Sequence, residues 1–124
     1  MYCVRIMYPN LPGSKFNYEH YFAVHLPLGL SLLKKHTGVT PVRVEADTKP
    51  YSAPGEPHPY HMINSLYFKT KDDADGFIRL FGIEEAAQLL KEDWPKYTPA
   101  APKVQLAEVV EYNTTSGQQV NGRR

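Results

Sequence analysis

A single cysteine, Cys3, among 124 residues rules out an internal disulfide. Charge of one sign is also lacking. Fourteen Lys and Arg stand against 13 Asp and Glu, for a formal net charge of +1, and the basic residues are scattered. Recognition of nucleic acid needs concentrated positive charge, so this balance excludes that class of partner; the closing Arg123-Arg124 pair is too short to change it. No apolar run approaches the roughly 20 residues needed to span a bilayer, which excludes a helical membrane anchor. A strand pattern starts almost at Met1, which leaves no room for a signal peptide, and the expectation is a cytoplasmic protein. Neither a phosphate-binding P-loop nor a dinucleotide fingerprint occurs, which argues against nucleotide-driven chemistry.

What is present is ordinary for a globular protein, with 42% hydrophobic and 22% charged residues and a length suited to one domain with one core. Aromatic usage is skewed, with nine Tyr against one Trp. Tyrosine offers an apolar body with a polar tip, which suits pocket linings and subunit contacts.

Residues 2–8 alternate, with Tyr2, Val4, Ile6 and Tyr8 on one face and Cys3, Arg5 and Met7 on the other, the period of a strand. Turn residues Pro9, Asn10, Pro12 and Gly13 end it. A helix follows, with Asn17 as its N-cap, running to about His36 and closed by Thr37-Gly38. Pro27 removes a backbone donor inside it and predicts a kink or break. A second strand is expected over 40–48. A loop with Pro50, Pro54, Gly55, Pro57 and Pro59 comes next, long enough to act as a lid or pocket rim. A third strand is expected over 61–69, with Met62, Leu66 and Phe68 on one side and Ile63, Ser65 and Tyr67 on the other. Thr70 and Asp73 open a helix that carries Phe77, Ile78 and Phe81 inward, and Gly82 interrupts it. A short helix over about 83–92 buries Ala86, Leu89 and Leu90. An irregular stretch through Trp94, Pro95, Pro99 and Pro102 leads to a last strand, 103–112, which closes a domain of residues 1–112. The polar tail 113–124 reads as unstructured.

The order β-α-β-β-α-β, with the second helix split, is an α+β ferredoxin-like plait, an antiparallel sheet with helices on one face. The first and third strands carry apolar or aromatic residues on both faces. Helices cover only one, so the other needs a partner, and a homodimer with facing sheets is expected.

The run FNYEHYFAVHLPL at 16–28 places an ionisable imidazole on the stripe of a helix that should be apolar. Tyr18, Tyr21, Phe22, His25, Leu28 and Leu32 recur at core-facing spacing, while Glu19, His20, Lys34 and Lys35 are polar. His25 is thus expected to point inward with the phenol of Tyr21 one turn earlier on the same face. A buried imidazole needs a partner and changes charge near neutral pH, so it is a structural residue or an acid–base centre.

These residues resemble the EthD family of dimeric α/β-barrel proteins. The resemblance begins at Tyr8-Pro9 and is clearest through Phe16-Asn17, Tyr21 and His25-Leu26-Pro27-Leu28. It resumes at Tyr67-Phe68, takes in Asp93, Tyr97-Thr98, Pro102, Gln105 and Glu108-Val109, and extends up to Tyr112. Family members often carry Asp where this chain has Asn17 and Met where it has Leu26. The resemblance implies a ferredoxin-like subunit, dimerisation through the sheets and a pocket between sheet and helices. It also implies oxidative or polyketide-reshaping chemistry without a bound cofactor.

The function expected is a cofactor-independent enzyme acting on a hydrophobic aromatic or carbonyl compound. His25 would move a proton, and Tyr21 would orient it or stabilise an oxyanion. The reaction would be a monooxygenase-like oxidation, or a dehydration or cyclisation; a non-catalytic carrier or sensor of a similar ligand is the alternative class. Tyr67 and Trp94 are candidate pocket walls, although Trp94 can equally fill the gap before the last strand. His58, Tyr60 and His61 flank the end of the proline-rich loop as rim residues. With Glu56 the only nearby carboxylate, no metal is expected there. Asp72, Asp73 and Asp75 read as charges complementing a helix dipole, as do Glu84 and Glu85. Cys3 lacks an activating neighbour.

Overall fold

The computed structural model describes residues 1–120; the last four residues of the polar tail lie outside the described residues. Strand β1 (Tyr2–Pro9) leads into a short helix α1 (Tyr18–His20), a π-helical turn over Tyr21–His25, and helix α2 (Leu26–Thr37). Strands β2 (Arg43–Asp47) and β3 (Tyr60–Phe68) follow, then helices α3 (Lys71–Leu80) and α4 (Glu84–Asp93). A 3-10 turn over Trp94–Lys96 precedes strand β4 (Lys103–Glu108). The four strands form one antiparallel sheet in the order β2-β3-β1-β4, the ferredoxin-like plait that the element order predicts. The expected last strand stops at Glu108. Beyond it, β5 (Glu111–Asn113) and β6 (Gln118–Val120) pair as a separate hairpin, in a segment whose polar composition reads as unstructured.

Register decides which side chains meet. Val104 lies opposite Ile6 and Leu106 opposite Val4, while Asn64 and Leu66 flank the same pair from β3. Val4, Ile6, Tyr8, Met62, Leu66 and Phe68 therefore share one face and form the core with Leu32 and Leu33 of α2, Phe77 and Leu80 of α3, and Leu90 of α4. The opposite face carries Cys3, Arg5, Met7, Ile63, Ser65 and Tyr67, none of which joins that core.

Asn17 caps α1 by accepting from the backbone N–H of His20, and Thr70 caps α3 by accepting from that of Asp73. Gly38 closes α2 in the left-handed region, at φ 74°, with its N–H on the Lys34 carbonyl. Four inward assignments fail where the helix phase changes or the helix ends. Phe22 is 40% exposed because the π turn widens the helix there. The stripe of α3 runs Ala74, Phe77, Leu80, which leaves Ile78 one step round the helix and exposed. Phe81, just past the helix end, is also half exposed. On α4 the stripe is Ala86, Leu90, Asp93, so Leu89 turns out toward solvent.

Pro27 accounts for the π turn. The N–H of Leu26 reaches the carbonyl of Tyr21, five residues back, and the next donor in the ladder would be Pro27, which has none. The expected break thus appears as a widened turn just before the proline, and α2 restarts with Pro27 in its first turn, where a missing N–H does no harm.

Candidate functional site

Between the helical face of the sheet and α2, α3 and α4 lies a cavity of about 80 Å³, well above the roughly 10–15 Å³ that one water requires. Ile6, Leu33, Leu66, Phe77, Leu90 and Val104 make most of its wall apolar; the polar groups are concentrated on Tyr8, Tyr21, His25, Asn64 and Tyr97, with Trp94 at the side. This is the pattern of a small-molecule site, apolar walls with a few convergent polar groups.

His25 stands at the end of the π turn, its side chain only 12% exposed, and its Nδ1 lies 2.9 Å from Oδ2 of Asp93 at the end of α4. The other carboxylate oxygen, Oδ1, is 2.9 Å from Nε2 of His20. Asp93, itself 7% exposed at the side chain, thus bridges two imidazoles. Burial pulls the His25 pKa below its ordinary 6.5, outweighing the opposing pull of Asp93. Burial also raises Asp93, but the hydrogen bonds from His20 and His25 more than offset this and leave it below the usual carboxylate value. The pair at neutral pH is therefore an ionised carboxylate and a neutral imidazole. An ionised carboxylate accepts only, so it selects the tautomer with hydrogen on Nδ1 and leaves the lone pair on Nε2.

Tyr21 is 1% exposed and stacks on His25, with ring centroids 5.5 Å apart and planes at 29°. Its hydroxyl does not bond to the imidazole. Asn64 Nδ2 donates to it at 2.8 Å; the Tyr21 ring meets that of Tyr8 edge-on, with centroids 5.5 Å apart, and Tyr8 receives the Tyr97 hydroxyl at 3.0 Å. Burial pushes Tyr8, Tyr21 and Tyr97 all well above the usual phenol value, so the three remain protonated and serve as a rigid polar wall rather than as acids. Tyr97 also packs against His25, with centroids 4.5 Å apart.

The structure brings Tyr21, His25 and Trp94 together on the cavity. Trp94 both lines it and holds the start of the last connection, its indole N–H donating to the Ala100 carbonyl at 2.9 Å. Tyr67 lies elsewhere. It alternates with Leu66 and Phe68, so it falls on the opposite sheet face, where it donates to Glu45 and lies under the Arg43 guanidinium. Tyr60 and His61 are also absent from the wall; His61 Nε2 is 2.8 Å from Ser14 Oγ, and its carbonyl accepts from the Tyr18 hydroxyl. The proline-rich loop contributes no lining residue. Its end is tied to Asn10, which bonds the carbonyls of Pro59 and His58. Among the described residues no three His, Cys, Asp or Glu converge as metal ligands; in the His20, Asp93, His25 trio the carboxylate stands between the rings.

Sequence reasoning gave no site role to four members of this site. Tyr8, Asp93 and Tyr97 entered only through the strand pattern or the family resemblance, and Asn64 was not singled out. Two signals were available: Asn64 falls on the even, core-facing register of β3, and Asp93 falls three residues after Leu90 on the α4 stripe.

No curated protein matches the chain. Among solved structures, an EthD-like protein from Ralstonia eutropha JMP134 is similar at 21% identity and a TM-score of 0.70, over 92% of this chain and 96% of that one. An ethyl tert-butyl ether (EthD) family protein from Bacillus halodurans C-125 is similar at 15% identity and a TM-score of 0.55, over 88% and 98%. Both likenesses concern the fold. The sequence itself goes further: residues 14–100, the span that holds Tyr21, His25, Asn64, Asp93 and Tyr97, match the EthD domain model, and the chain belongs to the EthD family.

Proposed function

We propose that this EthD-family chain is a cofactor-independent enzyme that removes a proton from a hydrophobic aromatic or carbonyl compound, with His25 as the base. The observation that carries this reading is the Asp93–His25 pair at the cavity wall, in which the carboxylate holds Nδ1 at 2.9 Å and Nε2 has no hydrogen-bond partner among the described residues. A base must be unprotonated at working pH and geometrically fixed, and burial together with the carboxylate meets both conditions. Tyr21 acts as a positioning residue, because its ring stacks on the imidazole while its hydroxyl is tied to Asn64. The enolate or phenolate formed in the first step can react with dioxygen, a monooxygenase-like oxidation, or can expel a hydroxyl or close a ring. Both courses share the same proton transfer. Pairing of two copies through the opposite sheet face accords with Met7, Ile63 and Tyr67 lying there outside the core, and a cytoplasmic setting accords with the lone unpaired thiol of Cys3.

The test follows ligand-induced stabilisation and product formation together, for the wild type and His25→Gln, across aromatic and carbonyl compounds. Turnover by the wild type that falls at least a hundredfold in a folded His25→Gln variant, with binding retained, is the expected result. Binding by both proteins without product from either would replace the enzyme with a carrier or sensor.

A further inference from the structure

Asn64 is fully buried, lines the cavity and is only half satisfied. Its Nδ2 is committed to the Tyr21 hydroxyl at 2.8 Å, while Oδ1 has no hydrogen-bond partner among the described residues. A buried amide oxygen without a donor is costly, and native interiors rarely keep one without a use. The side chains around the cavity cannot correct this. Its apolar members have nothing to donate, and no phenol hydroxyl among the described residues lies within hydrogen-bond reach of Oδ1. Oδ1 is thus left as an acceptor without a donor on a residue that borders an apolar room, while Nδ2 is held by the Tyr21 hydroxyl.

We propose that Asn64 Oδ1 receives a hydroxyl of the ligand, so that the cavity selects hydroxylated aromatic compounds over the parent hydrocarbons and their methyl ethers. Tyr21 provides the scale. Its ring stacks on His25 with centroids 5.5 Å apart and its hydroxyl meets Asn64 Nδ2 at 2.8 Å, so one phenol side chain touches both the base and the residue that carries the acceptor. A ligand lying alongside that ring puts its hydroxyl on Asn64 and its opposite end at His25. The hydroxyl on Asn64 stays protonated because it is the donor. The proton that His25 removes therefore comes from a second group, a C–H beside a carbonyl or another O–H, at the far end of the ring. The class of substrate is an aromatic compound with two such groups across one ring. This second part rests on the proposed role of His25; the Asn64 contact does not.

The experiment measures binding of 2-naphthol, naphthalene and 2-methoxynaphthalene to the wild type, to Asn64→Leu and to Asn64→Asp, each checked for a folded spectrum and a cooperative melt. It is repeated in the His25→Gln background. The wild type should prefer 2-naphthol over both comparators by roughly ten- to a hundredfold, the range set by leaving a buried polar group unpaired. Asn64→Leu should lose that preference, and Asn64→Asp, which keeps an acceptor at the same place, should retain it. The preference should survive His25→Gln, since it does not involve the base. Equal affinity for the three compounds, no binding of any, or a preference that persists in Asn64→Leu overturns the proposal. Selective binding with no turnover of any compound leaves the Asn64 contact standing and defeats only the enzymatic reading.

Discussion

Replacing Asp93 by asparagine tests the centre of the site with almost no change of shape. The carboxylate accepts from two rings, at 2.9 Å to His25 and 2.9 Å to His20. An amide has one acceptor oxygen, so one histidine keeps a neutral bond while the other meets an NH2 group and must change tautomer. His20 is the more exposed of the two, and solvent can take over part of its bond; His25 has less recourse. The loss is thus close to one hydrogen bond to a charged group, about 1.5–3 kcal/mol. For a domain of this size roughly 4 °C accompanies each kcal/mol, so the melting temperature at pH 8 should fall by about 6–12 °C. The second readout is the imidazole titration of His25 followed by NMR. Burial already lowers its pKa and Asp93 opposes this, so removing the charge should lower it further. A melting temperature within about 2 °C of the wild type would mean that the penalty of burying the carboxylate cancels its bonds. A His25 pKa that rises toward 6.5 would refute the assignment of Asp93 as the group that holds it.

Two further predictions follow from the same geometry and from the uncovered sheet face. His25 has a folded-state pKa below its ordinary 6.5, so the unfolded chain takes up a proton first on acidification. Its contribution to stability is full above pH 6.5 and is lost as pH falls through the folded value; urea midpoints from pH 8 to pH 5 should decline, and the decline should flatten in His25→Gln. Asp93 adds a separate loss below its ordinary 3.8, which the substitution at His25 leaves in part. If two copies pair through the sheets, Ile63→Asp should shift the sedimenting species from dimer to monomer without altering the cavity, because Ile63 faces away from it. A wild type that sediments as a monomer at all accessible concentrations would remove the dimer from the proposal.

Much of the fold was legible because its elements follow simple periods. Alternation in residues 2–8 and 61–69 located β1 and β3 to within a residue, and Asn17, Thr70 and Gly38 cap the helices they were expected to cap. Errors fell where phase changes. A period of 3.6 carried through residues 21–25 buries Phe22, whereas a π turn there exposes it, and no spacing rule foresees which way a chain relieves Pro27. The hairpin of residues 111–120 was missed because its strands are three residues each and polar, too short for alternation to show.

The site was legible in a different sense, through residues that break the pattern. His25, Asn64 and Asp93 each occupy a position where the period calls for an apolar side chain: the inward stripe of the first helix, the even face of β3 and the stripe of α4. A polar group at such a position is costly unless it is partnered, so each violation announces a partner. Spacing cannot say which. His25 and Asp93 are 68 residues apart, and Asn64 is 43 from the tyrosine it holds, and only the plait brings them together. Tyr67 shows the converse. It fits its strand on either face, so nothing in its neighbourhood shows that it points away from the cavity. Aromatic character marks a residue able to line a pocket; it is the polar residue on an apolar face that marks where the pocket is.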